Sequence, residues 1–245
     1  MSATLIFLAA SYGAAVGLLL PRPAYRLSVE PDEDWRAHCP AGHALTGAAR
    51  GWLGPGHCRD CRAPHGPAAR PFATATALVC AALAAATGPR PELAAWLLLT
   101  PVVVLLAVVD QRVGRLPDAL TLPLAAAAAA TLGAVGWLTG APGSWLRALL
   151  AGLALTAYYL LLHLLNPSGL GLGDVKLALG LGIVLGWYGW PVLVAGGAAG
   201  TLLGALYGTY LLLVRRVGRQ TAMALGPFMI IGAFGVLLVA AVTAP

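Results

Sequence analysis

Eight apolar stretches dominate the chain, at approximately Thr4–Leu20, Phe72–Gly88, Leu93–Val109, Ala119–Thr139, Trp145–Leu165, Leu177–Trp190, Pro191–Val214 and Met223–Val242. A bilayer core is about 30 Å thick and is crossed by roughly 20 helical residues. The whole sequence is 59% hydrophobic and only 10% charged, against about 45–50% and about 25% in soluble domains. A soluble core of this size cannot hide so much apolar surface, whereas lipid can. The expected fold class is all-α, a polytopic membrane bundle of about eight transmembrane helices in a lipid bilayer. The first stretch lacks the basic leader and clean cleavage site of a signal peptide, so it reads as a retained span. Gly88-Pro89, Gly140–Gly143 and Asn166–Gly169 mark turns between spans. Gly196, Gly200, Gly204 and Gly208 share one helix face, where small residues let another helix approach.

The net charge of +6 would suggest nucleic acid in a soluble protein. Here its distribution has a topological reading. Arg22, Arg26, Arg36, Arg50, Arg59, Arg62, Arg70, Arg112, Arg115, Lys176, Arg215, Arg216 and Arg219 fall on one side of the eight spans, and Arg90 and Arg147 on the other. Cytoplasmic loops collect Lys and Arg, so the first side is expected to be the cytosol of a cell whose plasma or inner membrane holds the chain. No nucleic-acid partner is expected. The chain divides into a first span (1–20), a cytosolic loop (21–71) and a seven-span bundle (72–245).

The acidic residues are scarcer and more informative. Glu30, Asp32, Glu33, Asp34 and Asp60 lie in the 21–71 loop, and Glu92 in an outer turn. The rest of the chain holds only Asp110, Asp118 and Asp174. An ionisable group at membrane depth is costly and marks function by default. The third span ends at Asp110 and the sixth begins just after Asp174, so both carboxylates are expected at the cytosolic ends of helices, at similar depth. Two such groups can meet across a bundle. Close carboxylates share a proton, which gives one base and one acid for amide hydrolysis without a metal or a nucleophilic side chain. Asp118 also reads as a helix N-cap or as an ion pair with Arg112 or Arg115, and Lys176 as a partner for Asp174. His163, near the cytosolic end of the fifth span, reads as packing or as a contact to the pair.

Gly171-Leu-Gly173-Asp174-Val-Lys176, the stretch Asp110-Gln-Arg-Val-Gly-Arg-Leu-Pro117-Asp118, and Gly226-Pro227-Phe228 together resemble the type IV prepilin peptidases, intramembrane aspartic peptidases with a Gly-x-Gly-Asp signature. The resemblance implies that Asp110 and Asp174 are catalytic and that Gly171, Gly173, Lys176 and Asp118 support the site or bind substrate. It implies prepilin or pseudopilin substrates with a short basic leader, cut at the cytosolic face. Many members also methylate the new N-terminus with S-adenosylmethionine. The glycines beside Asp174 leave the backbone open to a substrate strand. A different class, a small proton-coupled transporter using the same carboxylates, is the alternative. It fits less well, because these groups sit at one face rather than at the midplane.

The resemblance is incomplete in the 21–71 loop. Members commonly carry two Cys-x-x-Cys pairs there. Here Cys58-Arg-Asp-Cys61 is intact, while the first pair reads Cys39-Pro-Ala-Gly42-His43. Cys39, His43, Cys58 and Cys61 can form a structural zinc site, with His38, His57 or His65 as other nitrogen donors, or the loop can be metal-free. Peptidase chemistry by two carboxylates requires no cofactor. No glycine-rich nucleotide fingerprint appears for S-adenosylmethionine.

Overall fold

A computed structural model describes residues 2–30, 33–141, 143–167, 169–213 and 224–244. Asp32, Pro142, Ser168, Arg215, Arg216 and Arg219 lie outside the described residues. In chain order the helices are α1 (Ser2–Gly17), α2 (Pro21–Leu27), α3 (Ala48–Gly51), α4 (Ala69–Thr87), α5 (Glu92–Val113), α6 (Asp118–Thr139), α7 (Trp145–Leu165), α8 (Leu172–Tyr188), α9 (Trp190–Leu213) and α10 (Gly226–Thr243). Six of them, α4, α5, α6, α7, α9 and α10, are long and apolar enough to cross a membrane, and a seventh span results if α1 and α2, which meet at 45°, count as one. The protein is a polytopic helical membrane protein.

The bundle is organised around α8. This helix is 17 residues long, about 25 Å at 1.5 Å per residue. It packs against α6, α7, α9 and α10. From Leu177 onward it is apolar on all sides, as a helix enclosed by other helices must be. Lipid supplies no hydrophobic drive between helices, so close packing of small residues does that work. Along α7–α8, a Cβ on Gly182 would come within 2.8 Å of the Ala151 carbonyl, and one on Gly186 within 2.2 Å of Ala151 Cβ. The glycine face of α9 meets neighbours in the same way: Gly196 faces Leu185 of α8, while Gly200 and Gly204 face Met229 of α10 and Leu225 just before it.

Hydropathy placed two helix ends a few residues from where they lie. α5 continues past Asp110 to Val113 and stops at Gly114, whose φ of 59° is the left-handed conformation that ends helices. α8 begins at Leu172, so Asp174 lies inside its first turn rather than before it. Apolarity ends at a charge; backbone hydrogen bonding does not.

The 21–71 segment folds as a small irregular unit around α2. Arg22 is buried and donates to the carbonyls of Thr46 (2.7 Å) and His57 (3.3 Å). The Arg26 guanidinium lies 4.1 Å from the centre of the Trp52 ring. These two arginines, counted in the sequence as topological charge, are also internal props of this unit. The segment is bolted to the bundle by Arg115, whose Nη1 donates to the Glu30 carbonyl at 2.6 Å.

Candidate active site and metal centre

Three helix ends converge on Leu116, in the loop between α5 and α6. A Cβ on Gly173 would lie 2.9 Å from Leu116 Cβ, and one on Gly226 would lie 3.3 Å from Leu116 Cδ1. Gly173 therefore packs closely against Leu116 on the side where a Cβ would stand, while it also lines the cavity beside the carboxylates. Gly171, by contrast, is exposed, with an extended backbone.

Asp110 comes from the last turn of α5 and Asp174 from the first turn of α8, and both are buried, at 3% and 6% exposure. Each carboxylate has one oxygen held by a backbone N–H at a helix start. Asp110 Oδ2 accepts from Gly226 of α10 at 2.9 Å, and Asp174 Oδ2 accepts from Gly171 at 3.1 Å. Helix N-termini carry unpaired N–H groups and a partial positive charge, which offsets the cost of burying an anion. Asp174 Oδ1 is buried with no hydrogen-bond partner among the described residues. A cavity of about 520 Å³ is lined by both carboxylates, by Gly114, Leu116 and Pro117, and by Gly171 and Gly173. Glu30 and Trp35 of the 21–71 segment line the same cavity. The arrangement suits a water held between two carboxylates.

The remaining expected residues take other places. Asp118 lines the cavity and opens α6, with Pro117 rather than itself at the N-cap. Its oxygens accept from Lys176 Nζ at 2.6 and 2.7 Å, so Lys176 pairs with Asp118 and not with Asp174, and Asp118 pairs with neither Arg112 nor Arg115. His163 Nδ1 lies 2.6 Å from the Leu170 carbonyl. Glu30 and Trp35 were not singled out from sequence. The available signal was an acidic cluster inside an otherwise basic loop.

Within the 21–71 unit, one ligand atom each from Cys39, His43, Cys58 and Cys61 lies within 4.8 Å of all the others. His43, rather than His38, His57 or His65, supplies the nitrogen. Cys39 Sγ is 3.9 Å from Cys61 Sγ and 3.5 Å from His43 Nδ1. Tetrahedral zinc with its usual bond lengths would set these edges at about 3.8 and about 3.6 Å. The backbone N–H of Cys61 holds the Cys58 thiol below its ordinary range, favouring the thiolate that a metal needs. The four residues can hold a metal ion.

The model of the type IV leader peptidase family matches residues 97–242, which include both carboxylates and the Gly226 turn. A prepilin leader peptidase/N-methyltransferase of Aeromonas hydrophila is 32% identical over 223 residues, covering 88% of this chain and 74% of the relative. Proteins of the same name from Aeromonas salmonicida (strain A449) and Burkholderia pseudomallei (strain 1026b) are 32% and 30% identical, covering 76% and 80% of this chain. The chain spans 63% and 65% of the lengths of those two relatives. No solved structure is a significant match. With this similarity running from α5 through α10, the chain belongs to the type IV leader peptidase family.

Proposed function

We propose that the protein is an intramembrane aspartic endopeptidase that removes the basic leader from prepilins or prepilin-like proteins, with Asp110 and Asp174 as its catalytic pair. The observation that carries this reading is the shared cavity: two buried carboxylates line it, each tethered through one oxygen, with Asp174 Oδ1 unpartnered. In the reaction one carboxylate, ionised, takes a proton from water as that water attacks the scissile carbonyl. The other, protonated, donates to the carbonyl oxygen, and the leaving amine is protonated as the tetrahedral intermediate collapses. No step passes through a metal.

The segregation of the basic residues supports a cavity that opens on the cytosolic side of the plasma or inner membrane. A leader held in the cytosol would lie toward Glu30 and Trp35, a carboxylate and an indole, both of which favour cations. We divide the chain accordingly into a first span (1–20), a leader-facing unit (21–71) and the catalytic bundle (72–245). In the 21–71 unit, Cys39, His43, Cys58 and Cys61 would hold structural zinc, which fixes the fold of the segment that carries Glu30 and Trp35. N-methylation of the product, with S-adenosylmethionine as donor, is carried over from the relatives' names and is assigned no residues here. Each relative reported above is named as a peptidase, and none favours the proton-coupled carrier.

Asp110→Asn and Asp174→Asn keep size and membrane insertion but cannot exchange the proton. Each is expected to abolish cleavage of a prepilin by enzyme reconstituted in liposomes. Cleavage at the parent rate by either variant would remove that residue from the mechanism.

A further inference from the structure

His163 stands in the last turn of α7, next to the candidate site but outside its cavity. Its Nδ1 lies 2.6 Å from the carbonyl oxygen of Leu170. A carbonyl only accepts hydrogen bonds, so Nδ1 carries the proton and donates it. The Leu170 carbonyl and the Gly171 N–H are two ends of one planar peptide unit. That same N–H donates to Asp174 Oδ2 at 3.1 Å. One rigid plate is therefore gripped at both ends, by His163 from α7 and by Asp174 from α8.

We infer that His163 is a positioning residue for Asp174: by holding the Leu170–Gly171 peptide plane, it keeps the Gly171 N–H on Oδ2 and Oδ1 available to the cavity. Three physical points carry this. First, the plate is followed by an exposed glycine, whose backbone offers little intrinsic resistance to rotation of the plane. Secondly, a hydrogen bond donated to the carbonyl polarises the amide, so its N–H becomes a better donor to the carboxylate. Thirdly, α7 and α8 pack closely along their length, with Ile183 Cγ1 only 2.7 Å from where a Cβ on Gly152 would stand, so the height of the imidazole relative to α8 is fixed. His163 touches neither water nor substrate in this scheme. Its role rests on the proposal that Asp174 takes part in hydrolysis.

The test uses the full-length enzyme in liposomes with a prepilin substrate, and compares His163→Asn, His163→Gln and His163→Ala. Asn can place its amide nitrogen near the position of Nδ1, whereas Gln reaches toward the position of Nε2. Ala and Gln are expected to lower kcat about tenfold, as for one lost positioning hydrogen bond, with KM unchanged. Asn should recover most of the parent kcat. A packing role predicts the reverse order, because Gln fills the imidazole volume better than Asn. The inference is overturned if Gln matches or exceeds Asn, if all three variants cleave like the parent, or if the loss falls on KM. Asp174→Asn, assayed alongside, separates the two levels. Parent-like cleavage by that variant would sink the catalytic assignment and the inference with it. An inactive Asp174→Asn beside a fully active His163→Gln would sink the positioning role alone.

Discussion

Asp110 Oδ2 accepts the backbone N–H of Gly226 at 2.9 Å, tying the end of α5 to the start of α10 across 116 positions. A Cβ at Gly226 would lie 2.7 Å from that oxygen and 3.3 Å from Asp110 Cγ. Gly226→Ala must therefore push the carboxylate off its tether. A fall in kcat of at least tenfold is expected, with insertion and thermal stability near the parent, because a misplaced catalytic group costs far more than its packing. Parent-like kcat would mean that the tether plays no part in catalysis.

The Lys176–Asp118 pair should matter much less. It is short, at 2.6 Å, but both side chains are substantially exposed. Exposed ion pairs contribute about 0.2–1 kcal/mol. Lys176→Met and Asp118→Asn are each expected to change kcat/KM by no more than about fivefold. A loss of three orders of magnitude in either would place that residue in the chemistry.

Glu30 lines the cavity from the 21–71 segment, and Arg115 holds its backbone carbonyl rather than its carboxylate. Glu30→Gln is expected to raise KM for a substrate with a basic leader several-fold while leaving kcat unchanged. A leader whose Lys and Arg are replaced by Gln should show no such difference between parent and variant. Equal KM values for both leaders in both enzymes would show that the leader's charge is read elsewhere.

Purified protein should contain about one zinc per chain, and Cys58→Ser should lose it. The metal needs thiolates, and the Cys58 thiol is held below its ordinary range. Protons compete with zinc for the thiolates, so the metal is expected to be held at neutral pH and released on acidification, below the pH at which the metal-free thiol itself titrates. Metal content followed by atomic absorption across an acid titration should decline in that direction. Protein that cleaves with no metal at neutral pH would show the cluster to be empty in the working enzyme.

Sidedness can be checked by adding single cysteines and counting the extra gel shift from an impermeant, polymer-linked maleimide. Cysteines at Gln111 and Pro167 should label from the cytosol, and one at Gly140 only from outside. Labelling of Gln111 and Pro167 from opposite faces would be incompatible with Asp110 and Asp174 sharing a water.

Residue order alone is enough to name the solvent this chain folds in, the helical class and the short list of residues able to do chemistry. Hydropathy runs, charge segregation and the scarcity of acids are local, additive properties that can be read along the chain. The Cys39, His43, Cys58 and Cys61 set was legible too, because ligand chemistry limits the choice; His43 over the other histidines was not, since that depends on how the loop folds back. The partners of these residues depend on the packed bundle. Lys176 bonds Asp118 across 58 positions, Gly226 bonds Asp110 across 116, and His163 reaches Leu170 through the α7–α8 turn. These pairings follow from which helix ends the bundle brings to one level. That level is set by small-residue contacts such as Ala151 against Gly186, whose energy belongs to two helices at once and to neither sequence segment alone.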